Sequence, residues 1–117
     1  RAKANVVESM KIIGDVKGKN VIILDDMVDT AGTITKAADL MIENGALSVR
    51  AFASHGVLSD PATERIEKSK LTAIYFTDSI PLKKESEKIK VLSVAELIAN
   101  TIINVNTNKS ISSSYLV

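Results

Sequence analysis

Apolar positions along this chain come in two patterns, short β-tolerant blocks and longer stretches with helical spacing. The block "VVESMKII" (6–13) is partly alternating, "GDVKGKN" (14–20) supplies Gly and Asp, and "VIIL" (21–24) is wholly apolar. Together they predict a β-hairpin whose second strand is buried on both faces, as in the centre of a sheet. Ala31, Ile34, Ala37, Ala38, Met41 and Ile42 then recur at helical spacing, and Asn44-Gly45 provides a C-terminal stop. "SVRAFAS" (48–54) and "LTAIYF" (71–76) predict two further strands. Between them Asp60-Pro61 predicts a helix start, with Asp60 as N-cap and an end near Ser69. The charged run "KKESEKIK" (83–90) reads as solvated, ahead of a short "VLS". Ser93 and Glu96 form a capping box for a last helix whose apolar face is Val94, Leu97, Ile98, Thr101, Ile102 and Val105. Strands alternating with helices predict an α/β fold with a mostly parallel sheet.

Composition narrows the chemistry. With 117 residues the chain has one domain's worth of length, and 45% apolar with 25% charged residues is an ordinary globular balance. A formal charge of +1 gives no electrostatic argument for nucleic acid or for a strongly cationic partner. Cysteine is absent, which removes disulfides, thiolate catalysis and Cys-based zinc sites together and fits a reducing interior. No apolar run reaches membrane-spanning length. The polar start "RAKANVVESM" has no initiator Met, as though cut from a longer chain.

The segment between the first strand and the first helix holds the chemistry. "VIILDDMVDTAGT" (21–33) places Asp25, Asp26 and Asp29 at the mouth of a small-residue turn. Ligands of α/β folds gather at the carboxyl ends of strands, where helix N-termini point. Asp29, Thr30, Ala31, Gly32 and Thr33 offer close backbone approach, N–H groups at a helix start and two hydroxyls. That is a phosphate cup without a lysine, and not a Walker loop. Asp25 and Asp26 stand further back, as acceptors suited to sugar hydroxyls or to Mg²⁺ through water. A ligand with a phosphate at one end and a diol at the other, such as ribose 5-phosphate, satisfies both halves. The plainer reading is turn chemistry with Asp29 as an N-cap.

That string resembles the ribose-phosphate loop of type I phosphoribosyltransferases, and "GDVKGKNVII" resembles the hairpin that introduces it. Downstream, "GTITKAADLMIENGA", "ASHGVLSDPATERIEKS", "FTDSIP" and "IKVLSVAELIA" resemble the C-terminal part of the ribose-phosphate pyrophosphokinases, or phosphoribosyl pyrophosphate synthetases. The resemblance implies a Rossmann-like type I phosphoribosyltransferase fold, incomplete in this chain. It also implies transfer of the β,γ-pyrophosphoryl group of Mg-ATP to the C1 hydroxyl of ribose 5-phosphate, in the cytoplasm. By position, Asp25 and Asp26 would hold the ribose hydroxyls, with or without Mg²⁺, and residues 29–33 would wrap the 5-phosphate. Such synthetases are about two to three times longer and built of two α/β domains of typical size. The resemblance thus implies that residues 1–107 are part of a C-terminal domain, with ATP bound mainly by the absent half or a neighbouring subunit. Arg1 falls where the family's flexible catalytic loop has the Arg of a Lys-x-Arg element, and Lys3 reads as a solvated end residue. The tail 108–117 would pack on the absent half or a neighbouring subunit of a homo-oligomer. There Ser112 and Ser114 match a regulatory phosphate site, although Ser113 stands where the family often has a hydrophobic residue.

The remaining singular residues have plain readings. His55 is the one histidine and reads as a hydrogen-bonded structural residue; Met10, Met27 and Met41 read as core filling, with Met27 also placed to lie under the sugar. Lys83, Lys84, Lys88 and Lys90 read as a solvated face. Two other functions share the loop: a phosphoribosyltransferase, which would need a base-binding hood, and a non-catalytic synthetase-associated or sugar-phosphate-sensing subunit.

Overall fold

The computed structural model describes residues 10–112. Arg1, Lys3, residues 6–9 of the expected hairpin, Ser113 and Ser114 lie outside them. The described residues form β1 (Asn20–Val28), α1 (Gly32–Glu43), β2 (Ser48–Gly56), α2 (Ala62–Lys68), β3 (Ala73–Thr77), β4 (Ile89–Leu92) and α3 (Ala95–Asn106). The strands make one four-stranded sheet in the order β1-β2-β3-β4, parallel at every pairing. This is the α/β architecture expected from the alternation of patterns.

One face of the sheet is the core. Val49, Ala51 and Ala53 of β2 alternate inward, and with Ile74 and Phe76 of β3 they meet Ile34 and Ala38 of α1 and Ala62 and Ile66 of α2. Alanines at the contact let the helices sit close on the sheet. α1 ends as its sequence predicts: Gly45, at φ +96°, donates to the Ile42 carbonyl and Ala46 donates to Met41, a Schellman closure that only a residue tolerant of positive φ favours.

The other face is open among the described residues. Register places Ile22 beside Arg50 and Leu24 beside Phe52, which stacks on Tyr75 with ring centroids 4.6 Å apart. Leu24 is 77% exposed, and α3 buries none of its residues. The apolar stripe expected on the last helix is therefore present in sequence but has no partner among the described residues. Among the described residues "VIIL" likewise lies in a strand with one unpaired edge and one open face rather than in a central strand.

Four further expectations are corrected among the described residues. Residues 10–13 form no strand, Ile13 is 97% exposed, and β1 pairs only with β2, so no hairpin forms within the described residues. The residue at the head of α2 is Pro61 instead of Asp60, whose carboxylate is drawn 2.6 Å from Lys84 Nζ. Lys88 donates to the Ser69 carbonyl at 2.8 Å, so this lysine run is not simply a solvated face. The capping box at α3 does not close: Val94 is the N-cap, no bond from Glu96 returns to Ser93 among the described residues, and Ser93 Oγ donates to Asp78 Oδ2 at 2.7 Å while accepting the Ala95 N–H at 3.3 Å.

Asp78 thereby caps α3 from the end of β3, accepting the Val94 N–H at 3.0 Å as well. The Val94 N–H first and the Ser93 hydroxyl second hold its carboxyl below the usual 3.8. A depressed folded pKa gives stability that is present above the unfolded value and lost as pH falls through the folded one. The Val94 amide resonance is accordingly expected to titrate with a midpoint below 3.8, and the titration to vanish in Asp78→Asn. A midpoint at or above that value would remove the capping role.

Candidate functional site

β1 does not stop at "VIIL". It continues through Asp25 and Asp26 to Val28, so both carboxylates stand on the last turns of the pleat instead of in a loop. Successive strand residues point to opposite faces, so the pair brackets the carboxyl end of β1. The Asp26 N–H donates to Asp25 Oδ1 at 2.8 Å, which fixes one oxygen of Asp25. Both side chains are exposed. Met27 is half exposed and lines the same cleft, so it is not core filling, whereas Met41 packs against the core.

From Val28 the chain turns through residues 29–31 into α1. Ala31 is the N-cap residue at φ 62°, ψ 12°, and it is buried. A non-glycine residue in the left-handed region is sterically disfavoured and persists only where its surroundings hold it. Here Thr35 holds it from inside the helix, its hydroxyl donating to the Ala31 carbonyl at 2.6 Å and its N–H at 3.2 Å. Asp29 does not cap the helix, since no side chain makes an N-cap bond to α1, which removes the plain reading of that residue. A left-handed residue just before a helix turns successive N–H groups to a common concave side, the arrangement that receives anions.

Residues 25–34, one unbroken segment, line a cleft of about 350 Å³. All seven residues expected at the site (Asp25, Asp26, Asp29, Thr30, Ala31, Gly32, Thr33) are among them. The acceptors stand at the strand end and the donors at the helix start, so the two ends of the cleft offer different chemistry. The size is that of a small-ligand pocket.

The neighbouring strand ends lie beside β1. Met27 is in register with His55, whose Nδ1 lies 2.7 Å from Ser79 Oγ. Thr77 and Ser79 hydroxyls both donate to the Ser54 carbonyl, at 2.6 and 3.2 Å. His55 is thus held in a hydrogen-bonded network, as its plain reading expects. Arg65 of α2 is the contact that sequence reasoning missed: its Nη1 donates to the Thr30 carbonyl at 3.1 Å across a separation of 35 residues. No local pattern marks it. Ser112 is exposed, and among the described residues it bonds within its own turn, its N–H donating to Ser110 Oγ at 3.3 Å. No helix among the described residues is long and apolar enough to cross a membrane.

The family model described as "Phosphoribosyl synthetase-associated domain" matches residues 2–117. A ribose-phosphate pyrophosphokinase of Porphyromonas gingivalis is 57% identical over 98% of this chain and 37% of its own length. One from Wolinella succinogenes is 54% identical over 99% of this chain and 38% of its own. The chain therefore spans less than two-fifths of these curated relatives. The crystal structure of phosphoribosylpyrophosphate synthetase from Mycobacterium smegmatis superposes with a TM-score of 0.83 at 43% identity, covering 88% of this chain and 35% of that one. The parallel sheet is thus part of a type I phosphoribosyltransferase fold, and the loop that lines its cleft stands in a matched family rather than in a chance string. On the match across residues 2–117, this chain belongs to the phosphoribosyl synthetase-associated domain family.

Proposed function

We propose that this chain is the ribose 5-phosphate-binding part of an enzyme that transfers pyrophosphate from Mg-ATP to the C1 hydroxyl of ribose 5-phosphate, making phosphoribosyl pyrophosphate. The observation that carries the reading is the cleft of residues 25–34, with carboxylate acceptors at one end and helix-start donors at the other. Asp25 and Asp26 take the ribose hydroxyls. Residues 29–33 wrap the phosphate with N–H groups and the Thr30 and Thr33 hydroxyls. Phosphoryl-group chemistry of this kind is largely positioning and charge neutralisation, so a preset sugar-phosphate cup is a working part of the machinery.

The donor set fits Mg²⁺ in one manner only. Asp25 and Asp26 are two exposed carboxylates, and no cluster of three or more His, Cys, Asp or Glu side chains suited to a metal occurs among the described residues. Mg²⁺ keeps several waters and is commonly held by one or two carboxylates plus substrate oxygens. When bound, it neutralises charge on the transferring group.

The rest of the machinery belongs to the remaining length that the relatives have. An all-parallel sheet ordinarily has both faces covered, and the bare face of Ile22, Leu24, Phe52 and Tyr75 supports residues 1–107 being part of a larger C-terminal domain. ATP then comes mainly from the other half or a neighbouring subunit of a cytoplasmic homo-oligomer. Arg1 belongs to the catalytic loop, and the tail 108–117 packs at a subunit boundary with Ser112 and Ser114 on a regulatory phosphate.

Calorimetric titration tests the core of this. The chain is expected to bind ribose 5-phosphate, to bind ribose at least about tenfold more weakly, and to make no phosphoribosyl pyrophosphate from Mg-ATP by itself. Absence of ribose 5-phosphate binding would overturn the site assignment. Synthesis by the chain alone would overturn its dependence on a second half. Binding without any synthesis after the other half is added would favour the non-catalytic, sugar-phosphate-sensing reading.

A further inference from the structure

The phosphate loop is a wall between two cavities. Residues 25–34 line the front cleft, while Gly32, Thr35, Lys36, Arg65 and Lys68 face a second cleft of about 290 Å³ behind it. Arg65 lines the rear cleft and not the front one, and from there its Nη1 donates to the Thr30 carbonyl. In a trans peptide the carbonyl and the following N–H point in opposite directions. Holding the Thr30 carbonyl to the rear therefore turns the Ala31 N–H to the front. No backbone carbonyl takes that N–H among the described residues.

We propose that Arg65 is a positioning residue for the phosphate cup: from α2 it fixes the Thr30–Ala31 peptide plane and so aims the Ala31 N–H at the bound phosphate. This deepens the reading above and rests on it for the identity of the ligand. The loop needs such a hold because Ala31 sits at a positive φ, where a non-glycine residue has an easier alternative nearby. Gly32 belongs to the same device. A Cβ there would come within 3.3 Å of Arg65 Nη1, so the absence of a side chain lets the guanidinium lie over the turn. The guanidinium also brings a permanent positive charge behind a cup that has no lysine of its own, while Lys68 of the same helix is engaged with Glu64 at 2.6 Å. Of the basic side chains in the rear cleft, Arg65 is the one bonded to the loop backbone.

The test uses Arg65→Met and Arg65→Lys in the 117-residue chain. Arg65 is exposed, so both variants are expected to keep the wild-type unfolding midpoint within a few degrees. Losing one hydrogen bond that orders a donor corresponds to about fivefold in affinity for ribose 5-phosphate, with ribose itself unaffected. Arg65→Lys, whose ammonium can still donate to a carbonyl, is expected to recover part of the loss. The residual dipolar coupling of the Ala31 N–H reads the peptide plane directly and without ligand. It is expected to change in Arg65→Met and to return toward wild type in Arg65→Lys. An unchanged coupling in Arg65→Met would overturn the proposal, whatever the ligand. A changed coupling with wild-type ribose 5-phosphate affinity would overturn the role in binding. A changed coupling in a chain that binds no ribose 5-phosphate even as wild type would uphold the positioning and count against the ligand instead.

Discussion

Gly56→Val is expected to destabilise the chain by about 1–3 kcal/mol, lowering its unfolding midpoint by several degrees or more, and to disturb the sugar-phosphate cup as well. The cause is contact with the body of a ring, not with a movable tip. A Cβ on Gly56 would lie 2.9, 3.0 and 3.2 Å from Phe76 Cγ, Cδ1 and Cδ2, the first closer than real Cβ atoms come and the other two unusually tight. Phe76 is 3% exposed in β3, between β2 and β4, and has nowhere to withdraw. Valine adds two methyl groups to that overlap. The strain reaches the site because the Val57 and Leu58 N–H groups, just past Gly56, both donate to the Val28 carbonyl at 3.0 and 3.2 Å. Val28 is the last residue of β1 and is followed directly by Asp29. Thermal unfolding and ribose 5-phosphate titration of the same variant check both halves. A variant with unchanged midpoint would show that Phe76 has room the packing does not reveal. One that is less stable yet binds normally would show that the β1–β2 junction does not transmit the shift.

The parts of this fold legible in the sequence are those decided by neighbours a few residues away. Asn44-Gly45 closes α1 because the Schellman bonds span only a turn, and the β2 alternation is readable because one of its faces is buried within this chain. Where the sequence misleads, a distant residue outcompetes the local rule. Asp60 would cap α2, but Lys84, 24 positions on, takes its carboxylate. Ser93 would cap α3 alone, but Asp78, 15 positions back, supplies a charged acceptor to the Val94 N–H and takes the Ser93 hydroxyl, whose oxygen keeps only a 3.3 Å bond from the Ala95 N–H. "VIIL" has the composition of a central strand, yet β1 has a bare face because nothing among the described residues covers it. The segment that lines the candidate cleft was legible as one stretch, since residues 25–34 are contiguous and the groups they offer follow from residue type. Its rear support was not, because Arg65 reaches the loop only through the packing of α2 beside α1.

Asp25→Asn and Asp26→Asn are each expected to weaken ribose 5-phosphate binding at least about tenfold, a hydrogen bond to a charged group contributing roughly 1.5–3 kcal/mol. Both side chains are exposed at the end of β1, and asparagine keeps their shape, so the fold is expected to stand. The sign of the change is what makes the measurement decisive. A carboxylate near a phosphate repels it, so removing the charge helps any ligand that meets Asp25 or Asp26 with its phosphate end. A sugar hydroxyl, in contrast, is a donor and loses a strong acceptor when carboxylate becomes amide. Inorganic phosphate is therefore expected to bind both variants as well as wild type or somewhat better, while ribose 5-phosphate binds worse. Low ionic strength should widen the phosphate gain, because exposed charges a few ångströms from a ligand are screened by salt. Tighter binding of both ligands would place the aspartates at the phosphate end and reverse the orientation of the sugar in the cleft. Weaker binding of both would point instead to a cation that the pair holds for the phosphate, and added Mg²⁺ would then raise affinity in the wild type but not in the variants.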